Sequence, residues 1–225
     1  MATAAFGKLR KRVFSNSNIR ASTKIMMYRA VVITTLLYAS ETWTIYRRHI
    51  RDLEAFNQRS LRVILNIKWQ DFRTNISVLQ QAGCPSIESL IVKNQLRWAG
   101  HVVRMHNSRL PKQIFYSELT EGSRHVGAPK KRFRDNLKSH MKNCLLDPAS
   151  WETDAQDRAK WRKLIGDGVE SFELQRTRTI LEKRDRRMLK RQNPAPHPSQ
   201  FICQACGRVC GSRIGLTSHQ RTHRR

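Results

Sequence analysis

The sequence predicts a mostly α-helical chain that closes on a small ββα unit carried by a proline-containing linker. Three observations predict it. Apolar residues recur at three- and four-residue steps through much of residues 24–165, the period of an amphipathic helix. Prolines space out "NPAPHPSQ" at 193–200, which favours an extended, fairly stiff segment. Two cysteines and two histidines follow in the pattern C-x2-C-x12-H-x3-H. Strand signals before residue 201 are weak, and no internal repeat is visible.

Residues 1–23 are basic and contain "FSNSNIRAST", which reads as a loop or loose helix, with a helix capped near Ser22 or Thr23. Residues 24–46 are apolar nearly all round, as in a buried central helix. Ile50, Leu53, Asn57, Leu61 and Ile64 predict a second, amphipathic helix. "TNISVLQQAG" predicts a short helix stopped by Gly83. Ser86 is the expected N-cap of a helix whose stripe is Ile87, Leu90, Ile91, Asn94, Trp98, Val102 and Met105. Pro111 opens a further short helix. Gly122, Gly127 and Pro129 mark a loop. Phe133, Leu137, Met141 and Leu145 repeat every four residues until Pro148, and Trp151, Trp161, Leu164 and Ile165 predict another packed piece. Residues 169–192 read as a charged helix. The organisation expected is a basic segment 1–23, a helical body 24–165, a basic helical extension 166–192, a linker 193–200 and the terminal unit 201–225.

The chain has 225 residues, with 43 Lys+Arg against 17 Asp+Glu and a formal net charge of +26. Such an excess repels itself in a compact state and persists more easily beside a polyanion. DNA or RNA is the expected partner. The longest uncharged run, "AVVITTLLYAS" at 30–40, is too short to span a bilayer, so it reads as buried helix and no membrane partner is expected. Of the five cysteines, three lie in the last 25 residues, which is not a disulfide framework. The basic stretch Lys8 to Arg12 has no apolar run behind it, so no secretory leader is expected. The expected location is nuclear in preference to cytoplasmic.

Cys203, Cys206, His219 and His223 have the spacing of a zinc finger. Cysteines three apart suit a tight turn between two short strands. Histidines four apart share one helix face. Zinc takes four such ligands in a tetrahedron. Phe201 and Leu216 stand where the finger's small core needs apolar groups. Cys210 occupies the place of a large aromatic residue and reads as a small buried apolar side chain, the alternative being a thiolate that competes for the zinc. The base-reading positions of this class fall at Ser212, Gly215 and Ser218, which discriminate bases poorly. Arg213, Arg221 and Arg224 surround the helix and suit phosphates. A second basic group, Lys130, Lys131, Arg132, Arg134 and Lys138, lies opposite the Phe133, Leu137 and Met141 stripe and is also expected to face phosphates.

Three stretches, "TTLLYASETWTIYRRHIRDLEAFNQRSLRVILNIKW", "LRWAGHVVRM" and "GAPKKRFRDNLKSHMK", resemble the C-terminal region of reverse transcriptases of LINE-type (non-long-terminal-repeat) retrotransposons. The resemblance covers roughly residues 4–165. It implies a thumb-like and post-thumb helical segment that helps to hold template and primer. It carries over no catalytic residue, because polymerisation in that family needs palm aspartates and this sequence has no Asp-Asp pair. The expectation is a non-catalytic, zinc-binding and nucleic-acid-binding segment. The alternative is a free-standing zinc-finger regulator or protein-interaction module, with a protein partner held through the finger. His101, His106, Trp43 and Trp98 read as structural, and Asp154 and Asp157 as helix-start charges.

Overall fold

The computed structural model describes residues 1–117, 132–192 and 201–224. Lys130, Lys131, the 122–129 loop, the linker 193–200, the side chain of Arg224 and residue 225 lie outside them. The described chain falls into two units, residues 1–177 and 178–225.

Among its described residues the first unit holds helices and turns and no strand. Helices α1 (Ala2–Leu9), α2 (Ala21–Met27), α3 (Thr34–Leu36), α4 (Arg47–Ile64) and α5 (Asn75–Ala82) surround an N-terminal core. α6 (Ile87–Val103), α7 (Leu110–Tyr116), α8 (Phe133–Asn143), α9 (Trp151–Asp154) and the start of α10 (Arg158–Gln192) build a second one. Leu37, Ile87 and Ile91 form a smaller cluster of their own.

Residues 1–23 are not the loose segment that their charge suggests. α1 continues through a π-helical turn over Arg10–Phe14, and Phe14 is buried in the core. Phe6 stacks on Phe14 with ring centroids 4.8 Å apart, and Tyr28 meets both rings edge-on. The Tyr28 hydroxyl donates to Asn57 Oδ1 at 2.9 Å, which explains an asparagine on the apolar stripe of α4. Burial, above all, raises the Tyr28 pKa, so the hydroxyl stays a donor.

The helix expected over 24–46 ends early. Its last α-helical residue is Leu36, Ala39 takes a left-handed φ of 57°, and a 3-10 turn over Ser40–Thr42 leads into extended chain. Two causes are visible. The hydroxyls of Thr34 and Thr35 bond back to the Ala30 and Val31 carbonyls, a pattern that weakens helices. Long-range partners then capture the turn: Asn94 Nδ2 donates to Ser40 Oγ, and Gln95 Nε2 donates to the Ser40 and Trp43 carbonyls. Among the described residues no helix is long and apolar enough to cross a membrane.

Other elements follow the sequence closely. Gly83, with φ 57°, ends α5, and Cys84 N–H reaches the Leu79 carbonyl. Ser86 caps α6 by accepting from Ser89 N–H at 3.2 Å. Pro111 sits in the first turn of α7. Asp157 Oδ1 accepts from the N–H groups of Ala159 and Lys160 at the start of α10, and Asp154 pairs with Lys160 at 2.7 Å. Trp98 packs edge-on against Phe115 and Phe133, as a core residue does. Leu145 departs from its expected stripe. α8 stops at Asn143, Leu145 takes φ 57° and is 83 % exposed, and Leu146 is buried in its place. The bond from Leu146 N–H to the Met141 carbonyl closes a Schellman-type end.

α10 runs unbroken through residues 165 and 166, so the expected start of the basic extension falls inside a helix. Two glycines allow its close approach. A Cβ on Gly168 would lie 2.6 Å from the Cys144 carbonyl oxygen. A Cβ on Gly100 would lie 2.1 Å from Trp161 Nε1. The Trp161 indole is buried there and donates to the Leu96 carbonyl at 3.1 Å. Gly100→Ala should therefore cost about 3 kcal/mol, through overpacking and a broken buried hydrogen bond. Thermal melting should show the loss, and Gly100→Ala combined with Trp161→Phe should recover part of it. A single variant that melts with the parent would refute this packing.

In the second unit, β1 (Phe201–Ile202) and β2 (Val209–Cys210) pair antiparallel, Phe201 opposite Cys210, and α11 (Arg213–Gln220) follows. A 3-10 turn over Arg221–Arg224 ends the described chain. The fold class is the predicted one, mostly α with a terminal ββα unit.

Candidate metal centre

The ββα unit brings Cys203, Cys206, His219 and His223 together. Cys203 N–H donates to the Arg208 carbonyl at 2.9 Å, and Gly207 N–H donates back to the Cys203 carbonyl at 2.8 Å. Gly207 holds φ 70°, a left-handed turn that glycine takes without strain. This knuckle turns the two thiols toward the helix. Ser212 caps α11 by accepting from Gly215 N–H at 3.0 Å, which fixes where the helix starts and hence where both imidazoles project.

The four ligand atoms all lie within 4.8 Å of one another. Cys206 Sγ is 3.0 Å from His219 Nε2, and the Nε2 atoms of His219 and His223 are 3.2 Å apart. A tetrahedral cation with bonds of about 2.0–2.3 Å needs its ligand atoms roughly 3.3–3.8 Å apart; the two shortest separations lie just below that span and the set extends to 4.8 Å, so small side-chain rotations would bring all four atoms onto one ion. Among the described residues this is the one cluster of histidine, cysteine or carboxylate groups arranged to hold a metal ion.

The electrostatics suit deprotonated ligands. Desolvation, reinforced by the charges of His223 and Arg208, lowers the His219 pKa and keeps its lone pair available. Burial opposes ionisation of Cys203, but the backbone N–H groups of Ala205 and Cys206 outweigh it and lower the pKa overall. Cys210 is half-buried and stands across from Gly215: a Cβ on that glycine would approach the Cys210 Cβ to 3.9 Å. It lies outside the ligand group.

The expected phosphate contacts are placed unevenly. Arg213 and Arg221 are exposed on the finger. Arg132 precedes α8 and pairs with Asp135 at 3.1 Å, which offsets a cation at a helix N-terminus. Arg134 lies over the Tyr116 ring at 5.8 Å from its centroid. Lys138 is exposed. Thus two members of this group already have partners within the chain. His101 and His106 are exposed, and His106 Nδ1 meets Ser108 Oγ at 2.7 Å. Sequence reasoning assigned Ser212 to a base-contact position and missed that its hydroxyl caps the helix. A serine just before the first helical residue was the available signal.

No protein-family profile matches the chain, and no solved structure matches it. The chain is similar to an uncharacterized transposon-derived protein of Caenorhabditis elegans, with 26 % identity over 151 residues, 63 % of this chain and 53 % of the relative. The chain thus spans about half the length of that relative. The similarity supports a transposon origin.

Proposed function

We propose that this chain is a zinc-binding, nucleic-acid-binding and non-catalytic segment of a retrotransposon reverse transcriptase, which grips phosphates with little preference among bases. The convergence of two thiols and two imidazoles carries the reading. That donor set favours zinc over harder cations. The net charge of +26 and the exposed Arg213 and Arg221 favour a polyanion. Low base discrimination follows from the finger helix. The Ser212 hydroxyl is occupied by its capping bond, Gly215 has no side chain, and Ser218 pairs with several bases alike. The transposon-derived relative and the three resembling stretches favour a retroelement source. The reading assigns no catalytic residue, since two-metal phosphoryl transfer needs clustered carboxylates and the sequence has no Asp-Asp pair. A nuclear location accompanies it.

The test is equilibrium binding of the zinc-loaded full chain to duplex DNA and to an RNA hairpin across a salt series, with selection from a random duplex pool. Binding should weaken linearly in log–log form as salt rises, and selection should enrich no sharp motif. Affinity indifferent to salt would overturn the reading. One strongly enriched duplex sequence would instead favour a sequence-specific regulator.

A further inference from the structure

The C-terminal half of α6 and the first turns of α10 face each other across an open cleft of about 400 Å³. Arg97, His101 and Arg104 line it from one side, Arg158 and Arg162 from the other. Their spacing explains the convergence: residues three and four apart share a helix face, so each helix presents its arginines in one row, with His101 between Arg97 and Arg104. Gly100 brings the rows together, because it lets the Trp161 indole, itself part of the cleft wall, seat directly against α6.

Little among the described residues neutralises this cluster. Among the described residues, no carboxylate lies within ion-pair distance of Arg97, Arg104, Arg158 or Arg162. Glu41 is the one carboxylate among the described residues of the cleft wall. Arg104 donates to the Ala155 carbonyl, which ties its side chain to the end of α9. Burial, then the charges of Arg158 and Arg162, lower the Arg104 pKa, so these guanidinium groups are near enough to repel one another. Cations gathered in a concave wall focus a positive potential, and an entering anion relieves their repulsion. The planar arginine fork matches the oxygens of a phosphate better than an ammonium does.

We propose that this cleft binds the phosphate groups of a nucleic-acid backbone, as a grip separate from the finger. The proposal rests on the nucleic-acid reading above and places a contact at residues that reading does not name. Fluorescence anisotropy of the zinc-loaded full chain with a labelled, mixed-sequence RNA–DNA duplex tests it. Arg158→Ala with Arg162→Ala should weaken binding about 10-fold and lower the slope of log K against log salt by about 2. Both side chains are exposed, so the melting temperature should hold. Arg158→Lys with Arg162→Lys should keep the slope while losing part of the affinity. Lys8→Ala with Lys11→Ala removes the same charge from exposed positions elsewhere and should leave the slope nearly unchanged. Equal losses in the alanine pairs would assign the effect to bulk charge and overturn the cleft. So would a variant that loses hold only of phosphatidylserine vesicles and not of the duplex. If the parent binds the duplex, Cys203→Ser abolishes binding and the arginine pair changes nothing, the cleft falls and the earlier reading stands. A parent that binds no duplex overturns both.

Discussion

Stripping the proposed zinc from the full chain should unfold residues 201–224 and leave the described helices of residues 1–177 folded. The reason is the size of the finger's apolar core. Its two strands hold two residues each, and Cys203 is its only buried residue among those described. Ile202, Val209 and Ile214 are 49 %, 57 % and 83 % exposed. Ordering costs about 1–2 kcal/mol per residue in backbone entropy, which so little burial does not offset. A structural zinc supplies roughly 10–16 kcal/mol in comparable small domains near neutral pH. Two-dimensional amide spectra of the full chain with excess chelator should show resonances from 201–224 collapsing into the unfolded range while those from α4 and α6 hold position. Cys203→Ser and His219→Ala should each do the same in the presence of metal. Finger resonances that stay dispersed under chelation would refute the assignment.

Arg176→Ala should destabilise the first unit by about 3–5 kcal/mol, because it strands carboxylates that have left water. The Arg176 guanidinium pairs with Glu54 at 3.3 Å, Glu88 at 3.2 Å and Glu173 at 3.6 Å, and its side chain is 18 % exposed. Each carboxylate has another task. Glu54 Oε1 accepts from Ile87 N–H at 2.9 Å at the start of α6, Glu88 also pairs with Arg47, and Glu173 Oε2 accepts from the Ser86 and Ser89 hydroxyls at 2.5 Å. One guanidinium therefore ties α4, α6 and α10 together. The melting temperature of the variant should fall by roughly 10 °C. The loss should depend on pH with a definite sign. Burial, as the largest cause, already raises the Glu54 pKa in the folded state, and Arg176 opposes that rise. Without Arg176 the folded-state pKa climbs further above the unfolded value. The folded variant then holds a proton that the unfolded chain releases, so its stability is retained below the unfolded pKa and lost as pH rises through the folded one. The gap between parent and variant should widen from acid toward neutral pH. A gap that stays constant across that range, or a variant that melts with the parent at neutral pH, would show that the triad is not what joins these helices.

The two predictions differ in how far the sequence announces them. The metal cluster is local: four ligands, one glycine in the knuckle and one capping serine all fall within a short stretch, so spacing alone displays it. The stops at Gly83 and the cap at Ser86 are readable for the same reason. The Arg176 triad is not, because two of its three carboxylates are distant along the chain, with 122 positions separating Arg176 from Glu54 and 88 separating it from Glu88. Nor is the break after Leu36, which depends on Asn94 and Gln95 reaching back to Ser40 and Trp43. The cleft arginines escape notice because Arg97 and Arg104 stand far along the chain from Arg158 and Arg162. They converge only once Gly100 and Trp161 set the helices in contact. The N-terminal helix is a different case: Phe6, Leu9 and Val13 carried a helical stripe that its charge obscured.

All five tryptophans, at 43, 69, 98, 151 and 161, belong to residues 1–177, and the finger has none. The indole wedged against Gly100 is sealed from solvent, whereas Trp69 is 77 % exposed. Intrinsic fluorescence therefore watches the helical unit alone, with a red shift when the sealed indoles meet water over a steady background from Trp69. A cobalt-substituted finger would report through thiolate charge-transfer absorption in a different spectral window. One cuvette can then follow both halves of the molecule at once, each by its own colour.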